Sequence, residues 1–295
     1  MVSDKVHCLD LSTEVLTKSG WKTYKQLTMD DLIATLKDGK LVYDKPIDIM
    51  VYPDYEGSMY YIKNQGIDLA VTGNHRMWVS LSENGIYDFA RADDIVGKSV
   101  RYKKDAEWEQ EEFDISDDDI CGTEFPEKLS KRQALIFIKQ FLNYQSSGDI
   151  MFTASSKTLA DKIQQLCLHI GWSCNIINDV DIYIYYSSEV VIDNKSSEKF
   201  VEREKCPVFC LQVPSEVFYV RRNGKTCWTG NSRAMGHVTT LVRQPLEGRS
   251  REGGKNFMPQ WYLKILLVRV VTGNIFKFRG SLEILFKIEF LIPFH

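Results

Sequence analysis

Cys8, Asn231 and Ser232 each carry a side chain that can attack a backbone carbonyl, and they stand at the two edges of a long β-patterned stretch. The thiol of Cys8 can move the acyl group of His7 from nitrogen to sulfur. The amide of Asn231 can attack its own carbonyl carbon, close a succinimide and cut the bond to Ser232, whose hydroxyl is a second acyl acceptor. Between them, Thr72-Gly73-Asn74-His75 follows the apolar run Leu69-Ala70-Val71. That puts an imidazole with polar neighbours at a strand end, where it can protonate an amide nitrogen. Each residue alone has a plainer reading: Cys8 as a small hydrophobe, His75 as a core or surface histidine, Thr72 as a turn cap and Asn231-Ser232 as a turn. Their order and spacing single them out together.

The elements that must hold these groups are mostly strands. From Cys8 to about Tyr102, short apolar runs (Glu14-Val15-Leu16, Leu32 to Leu36, Leu41-Val42-Tyr43, Met59 to Ile62) alternate with turns, and Asp38-Gly39 between two runs predicts a tight hairpin. Residues 105–127 hold eleven acidic side chains and no basic one, with Pro126 near the end, which predicts an exposed linker or loop. Helices are expected over 130–144 and 156–170, the second with Leu159, Ile163, Leu166 and Ile170 on one face. An alternating strand over 181–186 follows, and the β pattern resumes from Cys206 to Trp228, with Pro214 and Asn223-Gly224 as turns. The pattern is a mainly β fold interrupted by an α/β segment; no fold is predicted after Phe257.

With 295 residues, 44% apolar and 26% charged, the chain can bury a sizeable core. A net charge of -3 from 37 basic and 40 acidic residues makes no chain-wide case for nucleic acid, so any such role must come from local clusters. Seven cysteines without repeated CxxC spacing argue against a disulfide scaffold and a structural zinc site, and fit a reducing cytoplasm or nucleus. No run approaches a membrane span, and Met1 to Lys5 lacks the start of a signal peptide.

Taken together, the motifs resemble an intein, a self-splicing Hint domain. Cys8-Leu9-Asp10 with Thr13 to Leu16 matches its first motif, Thr72-Gly73-Asn74-His75 its second, and Val208 to Ser232 its last two. The resemblance implies a horseshoe-like β fold, excision of residues 8–231 and no cofactor for splicing. It implies four steps: Cys8 takes the His7 acyl group, Ser232 attacks that thioester, Asn231 cyclises, and an acyl shift to nitrogen joins His7 to Ser232. Thr72, Asn74 and His75 would act on the first scissile amide. Three expected helpers differ: Cys210 stands where the family usually has Asp, and Val217 and Gly230 where it usually has His. Cys210 is either packing or a second nucleophile of the kind a minor intein class uses together with a Trp and with a Thr that Thr229 matches; Trp78 is one position from the matching place.

Joining Met1 to His7 directly to Ser232-Arg233-Ala234-Met235-Gly236-His237, and onward to Gly254, gives a string that resembles a C-terminal stretch of the second-largest, β-type subunit of DNA-directed RNA polymerase. That implies a host whose work is DNA-templated RNA synthesis, with other polymerase subunits, DNA and RNA as partners. Lys5, Arg233, Arg243, Arg249 and Arg251 would then contact phosphate. The match fails after Gly254, which implies a frameshift, a truncation or a fragmentary gene. The α/β segment resembles half of a LAGLIDADG homing endonuclease, over Phe152 to Ser173. Asp149 is its one candidate Mg²⁺ ligand, and a second acidic motif is missing, so the insert reads as a relic. The expected division is a flank at 1–7, Hint parts at 8–104 and 205–231, linker and insert at 105–204, a polymerase flank at 232–257 and an unassigned tail at 258–295. Two rival readings stay open: a DNA endonuclease, and a splicing-dead fragment that binds nucleic acid.

Overall fold

The computed structural model describes residues 6–82, 85–124, 126–141, 150–185, 187–192 and 198–230. Short strands joined by tight turns open the chain: β1 (Leu9–Asp10), β2 (Glu14–Thr17), β3 (Gly20–Thr23), β4 (Ile33–Lys37) and β5 (Lys40–Asp44). The expected Asp38-Gly39 turn joins the last two with φ of 52° and 81°, the left-handed pair that a two-residue hairpin needs. The long β6 (Asp48–Lys63) leads to β7 (Asp68–Thr72), then to β8 (Arg76–Ser80), β9 (Asp88–Arg91) and β10 (Val100–Lys103).

The α/β segment follows as α1 (Lys131–Lys139), β11 (Ile150–Thr153), α2 (Lys157–Ile170), β12 (Ser173–Ile177) and β13 (Asp181–Tyr185). Ser130 and Gln133 form a reciprocal capping box that starts α1. Ser156 caps α2, and Gly171 ends it at φ 84°, a conformation that suits a residue without Cβ. Ile163, Leu166 and Ile170 face inward as their spacing predicts. The chain then rejoins the β body through β14 (Glu189–Ile192), β15 (Glu198–Gln212), β16 (Val217–Arg222) and β17 (Lys225–Gly230). Asn223-Gly224 makes the last hairpin turn, with φ of 48° and 74°.

The architecture is mainly β. β1, β15, β6 and β7 close on themselves as a small barrel, and β17-β16-β2-β4-β5 form a second sheet with β3 on the edge of β2. A third sheet runs β14-β10-β8-β9, and a fourth, β11-β13-β12, belongs to the α/β segment. The main core joins Leu9, Tyr60, Val71 and Phe209 of the barrel to Val15, Ile33 and Val220 of the second sheet. Because β14 pairs with β10 and β15 starts at Glu198, the β body regains the chain within the stretch assigned to the insert.

The acidic stretch is a loop whose acidic side chains are mostly exposed, as its composition predicts, but it is anchored at its apolar residues. Its carboxylates alternate with Ala106, Trp108, Phe113, Ile115 and Ile120, which pack into two apolar clusters. Its backbone is engaged as well: Trp228 Nε1 donates to Asp105 O at 2.8 Å, and the Leu41 amide donates to Glu107 O at 2.7 Å. The α/β segment is also tied in by Arg221 of β16, whose side chain is 2% exposed. Its guanidinium pairs with Glu14 of β2 at 2.6 Å and Asp161 of α2 at 2.5 Å, and donates to Gln164 Oε1 at 2.9 Å.

Candidate active site

β1 is only two residues long, yet it is held on both sides. Leu9 pairs with Val71 of β7 and with Phe209 of β15, and Asp10 pairs with Val208. One residue earlier, Cys8 donates its amide to Thr72 Oγ1 at 3.0 Å, and its carbonyl accepts from the Thr72 amide at 3.0 Å. Both backbone groups of Cys8 therefore point toward Thr72. On its other side Cys8 faces Cys210 without backbone bonds, which is the closer kind of antiparallel pair. The Cα atoms are 4.4 Å apart, and the two sulfurs are joined in a disulfide. Both cysteines are buried, in a cluster with Tyr55, Met59, Ala70 and Val208. The cysteine count did not predict this pairing, because a single bond between facing strands leaves no spacing signal; Cys121, Cys167, Cys174 and Cys227 are free thiols.

The loop between β7 and β8 carries the other groups. Thr72 Oγ1 donates to Val6 O at 2.7 Å, so this hydroxyl bridges the backbone on both sides of the His7 residue. The His75 amide donates to Thr72 O at 2.9 Å and fixes the turn. Asn74 contributes its backbone carbonyl, which lies 2.5 Å from His7 Nδ1, while its side-chain oxygen accepts from Arg91 at 2.5 Å. Sequence reasoning missed His7 and Arg91 as site residues. His7 was visible as the residue before the thiol, whereas Arg91 had no signal, since only the fold brings β9 to this loop.

His75 is buried, and its Nε2 lies 2.8 Å from Thr229 Oγ1 of β17. Its Nδ1 has no hydrogen-bond partner among the described residues. Burial pushes the imidazole pKa down to about 3, and the charge of His7 acts in the same direction, while the His7 backbone carbonyl favours the protonated ring; Arg76 adds a further lowering. The ring is therefore neutral near pH 7, with one N–H to give.

Gly230 pairs with Val217 at the end of β17. A Cβ built on Gly230 would lie 2.1 Å from the Arg76 carbonyl oxygen and 3.0 Å from the Phe89 ring, so the histidine usual at this place has no room. Val217 is buried with Leu168 and Trp228, where an imidazole would need a partner. Trp78 of β8 packs edge-on against Phe89 at 4.9 Å, consistent with a structural position. Asn231, Ser232, Asp149, Lys5, Arg233, Arg243, Arg249 and Arg251 lie outside the described residues. Among the described residues there is no group of three His, Cys, Asp or Glu side chains able to hold a metal ion, and no helix is long and apolar enough to cross a membrane.

No protein-family model matches the sequence. The chain is 26% identical to the DNA-directed RNA polymerase subunit beta C-terminal section of Stigeoclonium helveticum, with 90% of this chain and 40% of that protein covered. It is 41% identical to an ATP-dependent Clp protease proteolytic subunit of Chlamydomonas moewusii over 36% of this chain and 11% of that protein. It is 42% identical to the ribonucleoside-diphosphate reductase subunit beta of Aquifex aeolicus (strain VF5) over 19% of this chain and 8% of that protein. The chain thus spans less than half the length of each. Among solved structures, the AceL NrdHF class 3 split intein, in a glutathione-linked splice-inactive variant, is 16% identical with a TM-score of 0.41, covering 77% of this chain and 99% of that one. The Ssp DnaB mini-intein variant M86 is 13% identical with a TM-score of 0.38, covering 80% and 100%. The structural neighbours are inteins, and the relative that spans most of the chain is a section of an RNA polymerase β subunit.

Proposed function

We propose that the chain is a self-splicing element that excises residues 8–231 and joins His7 to Ser232 within a piece of an RNA polymerase second-largest subunit. The observation that carries this reading is the convergence of both edges of the β body on one loop. Cys8 hydrogen-bonds to Thr72 at 3.0 Å, and Thr229, two residues before Asn231, meets His75 at 2.8 Å. The relatives support it from another side: an RNA polymerase, a protease and a reductase subunit are different enzymes, each matched over a minor part of its length, as a shared insert would be.

In the first step Cys8 Sγ attacks the His7 carbonyl carbon, the bond to the Cys8 nitrogen breaks, and a thioester forms with a free amine at Cys8. Thr72 holds that nitrogen and, through Val6 O, the chain that precedes it. Because His75 enters uncharged, it takes the proton that the Cys8 thiol gives up and passes a proton on to the leaving amine, so the ring is neutral again when the step ends. Ser232 Oγ then takes the acyl group, Asn231 cyclises to release the branch, and the ester rearranges to an amide. A second route, in which Cys210 takes the acyl group from Cys8 before Ser232 does, is favoured by the 4.4 Å Cα separation of the two cysteines. The host's role in DNA-templated RNA synthesis, with its DNA, RNA and subunit partners, belongs to the same proposal.

Intact mass of the freshly made chain under reductant tests the reading. Splicing yields residues 8–231, less one water as the succinimide, and a joined product of 1–7 with 232–295. An unchanged 34.1 kDa chain under every reducing condition would refute it.

A further inference from the structure

We propose that Cys8 and Cys210 form a redox-active dithiol site whose oxidation stores the chain as an unspliced precursor and whose reduction starts the acyl shift. The inference rests on the splicing reading and adds a control to it. Both Cys8 backbone groups go to Thr72, so the side of Cys8 toward β15 carries only the side-chain pair. Sequence neighbours fix the register: Leu9 opposite Phe209 and Asp10 opposite Val208 leave Cys8 opposite Cys210. A 4.4 Å Cα separation lies within the span a disulfide bridges, about 4.4–6.8 Å, so the bond needs no backbone movement. The surroundings also suit it. Tyr55, Met59, Ala70 and Val208 enclose the pair, and a disulfide carries neither charge nor hydrogen-bond demand into that cluster, whereas a thiolate would.

The chemistry balances with a low-molecular-weight disulfide as oxidant. One cysteine thiolate attacks a sulfur of that disulfide and releases one thiol; the other thiolate attacks the mixed disulfide and releases the second. The two cysteines lose two electrons and two protons, and the oxidant is reduced to two thiols. Both sulfurs are buried in the folded state, so oxidant reaches them as the chain folds or when the cluster opens locally, and a reductant uses the same opening. With Cys8 Sγ in the bond, no thiol is available to attack the His7 carbonyl. Asn231 cyclisation does not use Cys8, so cleavage after Asn231 is the one loss open to the oxidised chain, and the uncleaved fraction is the stored precursor.

The test is refolding of the full chain from urea with oxidised glutathione, or with a phosphine reductant, followed by peptide mapping and intact mass. The oxidised chain should be two hydrogens lighter, yield a peptide pair linking Cys8 to Cys210, form no joined product, and splice once the phosphine is added. Cys210→Ser should make the ratio of splicing with and without oxidant close to one, whatever its own rate. Absence of the linked peptides would overturn the site. Linked peptides with joined product formed equally fast in oxidant would overturn the control. Linked peptides with no cleavage at either junction after reduction would retire the splicing reading, and the control with it, while the bond itself stood.

Discussion

At the scale of single residues, the proposed splicing gives each junction a group with one job. Cys8→Ala should abolish thioester formation and the joined product while cleavage after Asn231 persists; Asn231→Ala should do the reverse, allowing release at Cys8 by added thiol but no ligation. Mass spectrometry of the two variants separates these outcomes. His7 is the residue whose ring meets the Asn74 carbonyl. Its replacement by Ala removes one hydrogen bond worth about 1 kcal/mol, so the first step should slow about three- to tenfold, measured as thiol-induced cleavage. Gly230 yields a sharper expectation. Restoring the usual histidine, Gly230→His, should lower cleavage after Asn231 rather than raise it, because Arg76 O already occupies the Cβ position. The forced backbone shift should cost about 1–3 kcal/mol, read as a lower thermal midpoint. A Gly230→His chain that cleaves faster would overturn this account.

At the scale of elements, the α/β segment is built into the β body. Arg221 shares its charge between Glu14 and Asp161, and Gln164 Nε2 donates to the Gly224 carbonyl at 2.8 Å. Arg221→Ala should therefore destabilise the whole chain by about 3–5 kcal/mol, since two partly buried carboxylates lose their partner. Removing 105–185 and closing the gap with a short linker should leave a chain that does not fold, with partial rescue by Arg221→Met; urea unfolding measures both. These contacts were not legible in the sequence. The helices were, because Leu159, Ile163, Leu166 and Ile170 repeat at helical spacing, and so were the two hairpins at Asp38-Gly39 and Asn223-Gly224. The exposure of the acidic stretch was legible in its charge; its anchoring was not, because the apolar residues between the acids decide which way its backbone faces.

At the scale of the molecule, acid should act through two buried histidines. Burial holds His75 and His169 at about 3, below their usual 6.5, so the unfolded chain binds more protons than the folded one between those values. Stability from this source is complete above about pH 6.5 and is lost as pH falls toward 3; urea midpoints measured at steps from pH 7.5 to 4 should decline in that order, and His169→Gln should flatten the decline. Cys8, Thr72 and His75, which the fold brings to one loop, stood out in the sequence by residue type. Their assembly did not, since it depends on strand neighbours far apart in the chain: Thr229 reaches His75 across 154 positions, and Cys210 reaches Cys8 across 202.

The two-residue β1 has a consequence for timing during synthesis. It is gripped by β7 on one side, but its other edge waits for β15, and the His75 ring waits for β17. A ribosome that has made the first hundred residues has made the nucleophile and its threonine, yet the clamp that aligns them is incomplete. If the chain splices as proposed, the order of its strands delays reaction at His7 until the far edge of the β body has emerged.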